Sequence, residues 1–173
     1  MKTSITETFK KTYEIESDVI FRFCLIRVSN REQALDLTQE TFLRFWKSLQ
    51  EEEKILNERA FLFTIAKHLI IDWYRKKKSI SLEGMMGEDD EPYDLLDKKT
   101  IAEIEVGAEG RFILEKISEL APSYKDAVYL RFVEDLSPKE IGKILEISEN
   151  ACSVRINRGL EELRKITGYN INK

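Results

Sequence analysis

The sequence contains few of the residues that interrupt helices. Its 173 residues include seven glycines and three prolines. Val, Thr and aromatic residues never alternate over a strand-length run, as they do in half-buried strands. Hydrophobic residues make up 42% of the chain, which is enough to bury a core. These features predict an all-α protein of one or two small domains.

Residues that bind metals or form disulfides are scarce. His68 is the single histidine, and the two cysteines, Cys24 and Cys152, lie far apart among apolar neighbours. We therefore expect two buried thiols rather than a disulfide, as in the reducing cytosol. The sequence has no glycine-rich loop of the kind that cradles a phosphate. We expect no catalytic residue, metal, cofactor or small-molecule substrate, and an enzyme that depends on zinc or a nucleotide is a disfavoured alternative.

Long hydrophobic runs are also missing. The longest apolar stretch, residues 61–74, is interrupted by Lys67, His68 and Asp72. The chain does not start with a basic and then apolar leader. We therefore expect no membrane insertion and a cytoplasmic location.

Charge is unevenly distributed along the chain. Residues 79–110 contain ten acidic and two basic residues, a net charge of −8. The remainder contains 22 acidic and 26 basic residues, a net charge of +4. The pattern predicts an acidic, extended linker between two mildly basic domains, with a short helix over residues 98–109.

Residues 137–165 show the pattern of a helix-turn-helix. Ser137 and Glu140 can form a capping box, and Pro138 fits the first helical position. Apolar residues follow at helical spacing, and Ser148 can cap a second helix with a basic face. Such a motif places its second helix in the DNA major groove. A helical hairpin without any DNA role shares the pattern.

Residues 5–28 predict one amphipathic helix and residues 31–50 a second. The core-facing residues expected in the second helix are Leu35, Phe42, Phe45 and Leu49. The opposite face carries Asp36, Gln39, Glu40, Leu43 and Trp46. An exposed Trp and Leu beside acidic and amide groups are typical of a surface that binds another protein. A plain solvated face is the alternative.

Residues 58–78 predict a third helix with a basic and aromatic end. Its expected core residues are Leu62, Ile65, Ala66, Leu69, Ile70 and Trp73. The complementary face and the end of the helix contain Lys67, His68, Ile71, Asp72, Arg75, Lys76, Lys77 and Lys78. Cations suit a helix C-terminus. Four consecutive basic residues next to aromatic side chains favour binding of single-stranded nucleic acid, which needs both positive charge and stacking surfaces.

The remaining sequence predicts a compact second domain. Residues 111–121 and 122–133 predict two helices ahead of the helix-turn-helix. In the first of them Ile113, Leu114, Ile117 and Leu120 are expected on the buried side. We therefore divide the chain into a helical domain at 1–78, the acidic linker at 79–110, a helix-turn-helix domain at 111–167 and a tail at 168–173.

Two blocks of sequence, in this order, resemble bacterial sigma factors. Residues 34–42, ALDLTQETF, resemble the second conserved region, and residues 71–75, IDWYR, continue it. Residues 120–122 and 137–165 resemble the fourth region. Nothing in the chain resembles the first or third region. The chain is thus similar to the extracytoplasmic-function (ECF) subgroup of the sigma-70 family.

The resemblance implies an all-α fold of two small helical domains, regions 2 and 4, joined by the acidic linker. It also implies a promoter-specificity subunit that is not an enzyme by itself. Its partners would be core RNA polymerase and promoter DNA, and an anti-sigma factor is a further expected partner. The acidic linker would pass through the polymerase toward the RNA exit path.

Three sets of residues receive roles from the resemblance. The set expected to bind core polymerase is Asp36, Gln39, Glu40, Leu43 and Trp46. The set expected to read and open the minus-ten element, together with the loop at 51–57, is Lys67, His68, Ile71, Asp72, Arg75, Lys76 and Lys77. The set expected to face the minus-thirty-five element is Asn150, Ala151, Ser153, Val154, Arg155, Asn157 and Arg158.

The sequence departs from the family pattern at three places. His68 stands where relatives commonly have Asn, which affects base preference. Residues 150–154 read Asn-Ala-Cys-Ser-Val where relatives often have Gly-Thr-Val-Lys/Arg-Ser, so phosphate contact should weaken or the promoter sequence should change. Gly142 replaces a small alanine, which costs a helix about 1 kcal/mol unless close packing needs the glycine.

Two other functions stay open at the level of sequence. A helix-turn-helix transcriptional regulator with a helical sensor domain would bind its operator without polymerase. A regulatory protein that kept the sigma fold but lost promoter melting would give no run-off transcript with core enzyme.

Overall fold

The computed structural model describes residues 4–81 and 98–168, and the regular structure of these residues is α-helical. The helices are α1 Ile5–Val28, α2 Arg31–Gln50, α3 Glu58–Ser81, α4 Lys98–Glu103, α5 Ala108–Ser118, α6 Pro122–Phe132, α7 Pro138–Leu145 and α8 Glu149–Thr167. They fall into two compact units, one containing α1–α3 and the other α4–α8. The prediction of an all-α protein with two helical domains is confirmed. Most of the acidic run and nearly all of the tail lie outside the described residues.

A tight two-residue connection separates α1 from α2 at the position that the sequence predicted. Ser29 adopts the left-handed conformation (φ 50°) that ends α1, and its N–H donates to the carbonyl of Leu25 at 2.9 Å. The side chain of Asn30 then accepts a hydrogen bond from the backbone N–H of Gln33 at 3.0 Å, which caps α2. The short connection makes the two helices antiparallel neighbours.

Aromatic side chains form much of the core of the first unit. Phe23 of α1 meets Phe63 of α3 edge to face, with ring centroids 4.9 Å apart. Phe9 of α1 contacts Phe42 and Phe45 of α2, at centroid distances of 6.3 and 6.1 Å. These contacts join each of the outer helices to α1.

A partly buried ion pair also ties α1 to the start of α3. Glu16 is 7% exposed, and Nη1 of Arg59 donates to both of its carboxylate oxygens at 3.0 and 3.1 Å. A carboxylate buried among helices needs such a partner to offset its lost hydration. The pair therefore fixes the register of α3 against α1.

The helix-turn-helix of the second unit begins with the capping box that the sequence predicted. The backbone N–H of Ser137 donates to the carboxylate of Glu140 at 2.7 Å, and the backbone N–H of Glu140 donates to the Ser137 hydroxyl at 3.3 Å. Ser148 caps α8 by accepting from the backbone N–H of Ala151 at 3.0 Å. Between the two helices, Glu146 takes the left-handed conformation (φ 57°).

Two glycines allow helices of the second unit to approach closely. A Cβ at Gly142 would lie 2.8 Å from the carbonyl oxygen of Ile147, which is backbone and cannot rotate away. A Cβ at Gly159 would lie 2.4 Å from a methyl of Val128 and 3.1 Å from Cβ of Tyr124. The glycine at 142 is therefore required by the turn into α8, which outweighs its cost in helix propensity.

Both cysteines are free and buried. Burial raises the pKa of the Cys24 thiol to about 12, opposed by a hydrogen bond with Thr38 and by the charge of Arg27. Burial also raises the pKa of the Cys152 thiol. The prediction of two buried thiols is confirmed.

Some predictions of core residues were wrong. Leu35 is 43% exposed and Ile113 is 45% exposed, whereas Leu49, Ile65 and Trp73 are half-buried. Leu35 points outward because the side of α2 that packs inward is lined by Ala34, Leu37, Thr38, Thr41, Phe42 and Phe45. In α5, Leu114 and Ile117 occupy the core and leave Ile113 at the surface.

We predict that Gly159→Ala lowers the unfolding free energy of the second unit by about 1–3 kcal/mol, because the new methyl overlaps Val128. Urea unfolding followed by circular dichroism measures the change. Glu161→Ala, an exposed change on the same helix, should stay within about 0.5 kcal/mol of the parent. In a Val128→Ala background the Gly159→Ala cost should shrink, and an undiminished cost would contradict the proposed overlap.

Candidate nucleic-acid interfaces

One side of α2 is exposed and carries most of the residues predicted to bind polymerase. Asp36, Gln39 and Leu43 are exposed, and Leu43 retains 47% of its accessible surface. Glu40 is half-buried and accepts a hydrogen bond from Nε of Arg44 at 2.8 Å. The face thus combines acidic and amide groups with apolar surface.

Leu35 belongs to this same exposed face and was missed in the sequence. It precedes Gln39 by four residues and Leu43 by eight, so all three lie on one side of the helix. Helical spacing from Leu43 was the signal that could have found it. Leu35 and Leu43 together therefore form a short exposed apolar stripe along α2.

Trp46 is anchored rather than freely exposed. It is half-buried, and its ring meets Phe9 of α1 edge to face, with centroids 5.1 Å apart. Trp46 is thus less exposed than predicted, because the indole belongs to the aromatic cluster between α1 and α2. Trp46 follows Leu43 by three residues, so its partly exposed ring lies next to the exposed face of α2.

A second exposed face runs along α3. His68, Asp72 and Arg75 are exposed, whereas Ile71 and Lys67 are half-buried. Lys67 and His68 are followed by Ile71 and Asp72 and then by Arg75, three or four residues further along at each turn, so all five lie on one side of the helix. Nη1 of Arg75 lies 3.8 Å from the carboxylate of Asp72, in an exposed pair that is weak by itself.

The end of α3 combines an aromatic pair with a basic run. Trp73 and Tyr74 meet edge to face with centroids 4.8 Å apart, and Nζ of Lys77 lies 5.0 Å above the indole of Trp73. Lys76 and Lys78 are exposed. Positive charge and aromatic surface therefore lie together, as the sequence predicted for a nucleic-acid surface.

Tyr74 links this end of α3 to the end of α1. Its hydroxyl donates a hydrogen bond to the backbone carbonyl of Arg27. That carbonyl belongs to the last turn of α1, where no further helical N–H follows to pair with it. Burial raises the pKa of the Tyr74 phenol to about 12, opposed by the nearby charge of Arg27. No local feature of the sequence indicates this contact, because it joins residues 47 positions apart.

The loop between α2 and α3 presents an exposed apolar side chain. Leu56 retains 77% of its accessible surface. The loop ends at Asn57, whose side chain accepts from the backbone N–H of Ala60 at 2.8 Å and so caps α3. The loop therefore stands beside the start of α3 with Leu56 directed to solvent.

The predicted recognition helix, α8, buries one side and exposes the other. Cys152, Ile156 and Gly159 lie on the buried side. Of the residues expected to face DNA, the exposed ones are Asn150, Val154, Asn157 and Arg158, and the half-buried ones are Ala151, Ser153 and Arg155. Arg155 stands at the flank, near enough for its charge to oppose the rise in the pKa of Cys152.

A carboxylate on α8 holds the helix against α6. Oε1 of Glu162 accepts a hydrogen bond from the backbone N–H of Ala121 at 3.0 Å. Ala121 is the residue before α6, so the negative charge lies where the helix dipole favours it. This contact and the close approach at Gly159 together determine which side of α8 faces α6 and which side is exposed.

Within the described residues, no three of His, Cys, Asp or Glu are grouped so that they could hold a metal ion. Over the same residues, every helix is too short or too polar to cross a membrane.

Comparison with known proteins identifies the family. Residues 12–80 match the model of sigma-70 region 2, and residues 113–163 match that of sigma-70 region 4. The chain is 30% identical to the ECF RNA polymerase sigma factor SigX of Bacillus subtilis, over 92% of this chain and 83% of SigX. The chain belongs to the ECF sigma-factor family. It is therefore an RNA polymerase sigma factor, and members of this family direct core polymerase to promoters.

Other relatives agree with this assignment. The ECF sigma factor SigW of Bacillus subtilis is 29% identical over 95% of this chain and 91% of SigW. Among solved structures, the sigma factor RpoE in complex with the anti-sigma factor NepR from Bartonella quintana is similar with a TM-score of 0.67, at 17% identity over 96% of this chain and 99% of that chain. CnrH in complex with the cytosolic domain of CnrY is similar with a TM-score of 0.59, at 17% identity over 94% of this chain and 89% of that chain. At this identity the structures support the fold of the ECF sigma factor.

We predict that Tyr74→Phe makes the first unit less stable by about 0.5–1.5 kcal/mol, because the Arg27 carbonyl loses a hydrogen bond. The effect should depend on pH. The unfolded phenol ionises near pH 10, whereas the folded one keeps its proton to about pH 12. The stability of the parent should therefore fall more steeply than that of Tyr74→Phe as the pH rises above 10.

Urea unfolding of both proteins between pH 8 and 11 measures this difference. Tyr13→Phe provides the control, because Tyr13 is 47% exposed. Parallel pH profiles for the parent and Tyr74→Phe would contradict the raised pKa of the Tyr74 phenol.

Proposed function

We propose that this ECF sigma factor binds core RNA polymerase through the exposed face of α2 and reads its promoter with α3 and α8. The observation that carries the proposal is the stripe of Leu35, Gln39 and Leu43, which leaves apolar surface in contact with water beside acidic groups. Contiguous exposed apolar surface rimmed by polar residues is typical of a site that binds another protein. Core-polymerase binding would use Asp36, Glu40 and the outer side of Trp46 as well.

The first unit would also read and open the minus-ten element. Its DNA surface would be the exposed side of α3, with His68 and Arg75, together with the loop that carries Leu56. Opening a duplex exchanges base stacking for contacts with aromatic and apolar side chains. The pairing of Lys77 with Trp73 supplies charge and stacking surface at one place.

The second unit would read the minus-thirty-five element through α8. The first three turns of α8 carry the exposed Asn150, Val154, Asn157 and Arg158, which suits a helix that enters the major groove. Arg155 at the flank would contact the phosphate backbone. Half or more of the hydrogen bonds in such complexes go to the backbone and position the helix.

The proposed domains are region 2 at residues 1–78 and region 4 at 111–167, with the acidic linker at 79–110 between them. The last part of that linker, α4 and the start of α5, packs within the second unit, where Ile101 is fully buried. We place the protein in the cytoplasm, where core polymerase is found, with no catalytic activity of its own. The structural relatives RpoE and CnrH are seen with NepR and with the cytosolic domain of CnrY. By analogy, we propose that an anti-sigma factor binds and restrains the present chain.

The polymerase-binding face can be tested with the double variant Leu35→Ser/Leu43→Ser. Both side chains are nearly half exposed, so the fold should survive, whereas affinity for core polymerase should fall at least tenfold. Binding of the labelled full chain to core enzyme gives the affinity, and run-off transcription from a cognate promoter gives the activity. Ile15→Ser, at another exposed apolar residue on α1, should leave both unchanged. Equal core affinity for the parent and the double variant would refute the α2 assignment.

The DNA role of α8 can be tested through salt dependence. Arg155→Ala and Arg158→Ala should each weaken promoter binding by the holoenzyme, and each should lower the slope of log K against log salt by about 1 if the lost contact is to phosphate. Lys165→Ala, at the distal end of α8, is the matched control. A slope equal to that of the parent would rule out a phosphate contact by the arginine concerned.

A further inference from the structure

Val154 is the one large apolar side chain among the exposed residues of α8. It retains 47% of its accessible surface. Asn150 lies one turn before it and Arg158 one turn after it, and both are exposed. Val154 therefore occupies the middle of the polar face, in the part of the helix that would meet base edges.

Val154 lies outside the buried side of α8. The core contacts of α8 come from Cys152, Ile156 and Gly159, on the other side of the helix. Valine has no advantage in helix propensity over serine, and it is poorer than lysine or arginine. Covering an exposed, branched apolar side chain with a ligand removes its apolar surface from water, which contributes favourable binding free energy.

The major groove offers one apolar group to such a side chain. Each base pair presents hydrogen-bond donors and acceptors there, but the C5-methyl of thymine is the only apolar feature. Valine can neither donate nor accept a hydrogen bond. It can only make an apolar contact, and it excludes water from that contact.

We propose that Val154 is a specificity-determining residue that contacts the C5-methyl group of a thymine in the minus-thirty-five element. The inference rests on the proposed function, which places α8 in the major groove. The neighbouring Asn150 and Asn157 present amide groups that can pair with the N6 and N7 edge of adenine. The exposed face of α8 is thus suited to A·T pairs at its centre.

Deoxyuridine provides a direct test, because it differs from thymidine only by the missing methyl group. The full chain with core polymerase first selects its preferred element from a promoter pool randomised around minus thirty-five. Each thymine of the selected element, on either strand, is then replaced in turn by deoxyuridine in synthetic duplexes. Affinities are measured for the parent, Val154→Ser and Val154→Thr.

The parent should lose about fourfold in affinity at one or two positions, the effect expected for roughly one buried methyl group. Val154→Ser should show a similar loss with thymidine present and no further loss with deoxyuridine. Val154→Thr keeps one methyl and should keep part of the sensitivity. Val154 is exposed, so all three proteins should unfold at the same urea concentration.

Three outcomes overturn the inference. A parent that tolerates deoxyuridine at every position makes no contact with a thymine methyl. Equal sensitivity in the parent and Val154→Ser assigns the contact to another residue. Failure of the selection to enrich any sequence at minus thirty-five removes α8 from the groove, and this result refutes the proposed function as well as the role of Val154.

Discussion

The packing of α2 against α1 determines which side of α2 is available to partners. Thr38 and Thr41 turn their hydroxyls back to carbonyls of their own helix, at 2.6 and 2.7 Å, and so enter the core without unpaired polar atoms. Phe42 and Phe45 then meet Phe9. With this side of α2 buried, the opposite side must be exposed, apolar residues included. The same packing leaves Trp46 half-buried, between the buried and the exposed side of α2.

In the second unit the corresponding constraint is the distance between backbones. At Gly142 and Gly159 a methyl group would overlap its neighbour, so the glycines let α8 lie close to both α7 and α6. The capping groups of Ser137 and Ser148 define where the two helices of the motif begin. The exposed side of α8 is therefore set by backbone contacts on its buried side.

Local features of the sequence were sufficient for most of the fold. The bounds of α1 and α2 and the capping box at Ser137 follow from residues near in sequence. It was harder to predict which side of each helix faces the core. Leu35, for example, has helical spacing to buried residues as well as to the exposed Leu43, so the spacing did not show which side is buried. Contacts between distant residues, such as Tyr74 with Arg27 and Gly159 with Val128, depend on how helices meet and have no local signature. The roles of the site residues remain proposals.

The burial of both native thiols has a practical consequence for experiments on this protein. Thiol reagents attack the thiolate, and neither Cys24 nor Cys152 offers an accessible one, since burial favours the protonated form. A cysteine introduced at an exposed position, such as Ile15 or Glu161, would then be the reactive thiol. Fluorescent or spin labels could be attached to either unit with the native cysteines left in place, so the labelled protein would keep its own core.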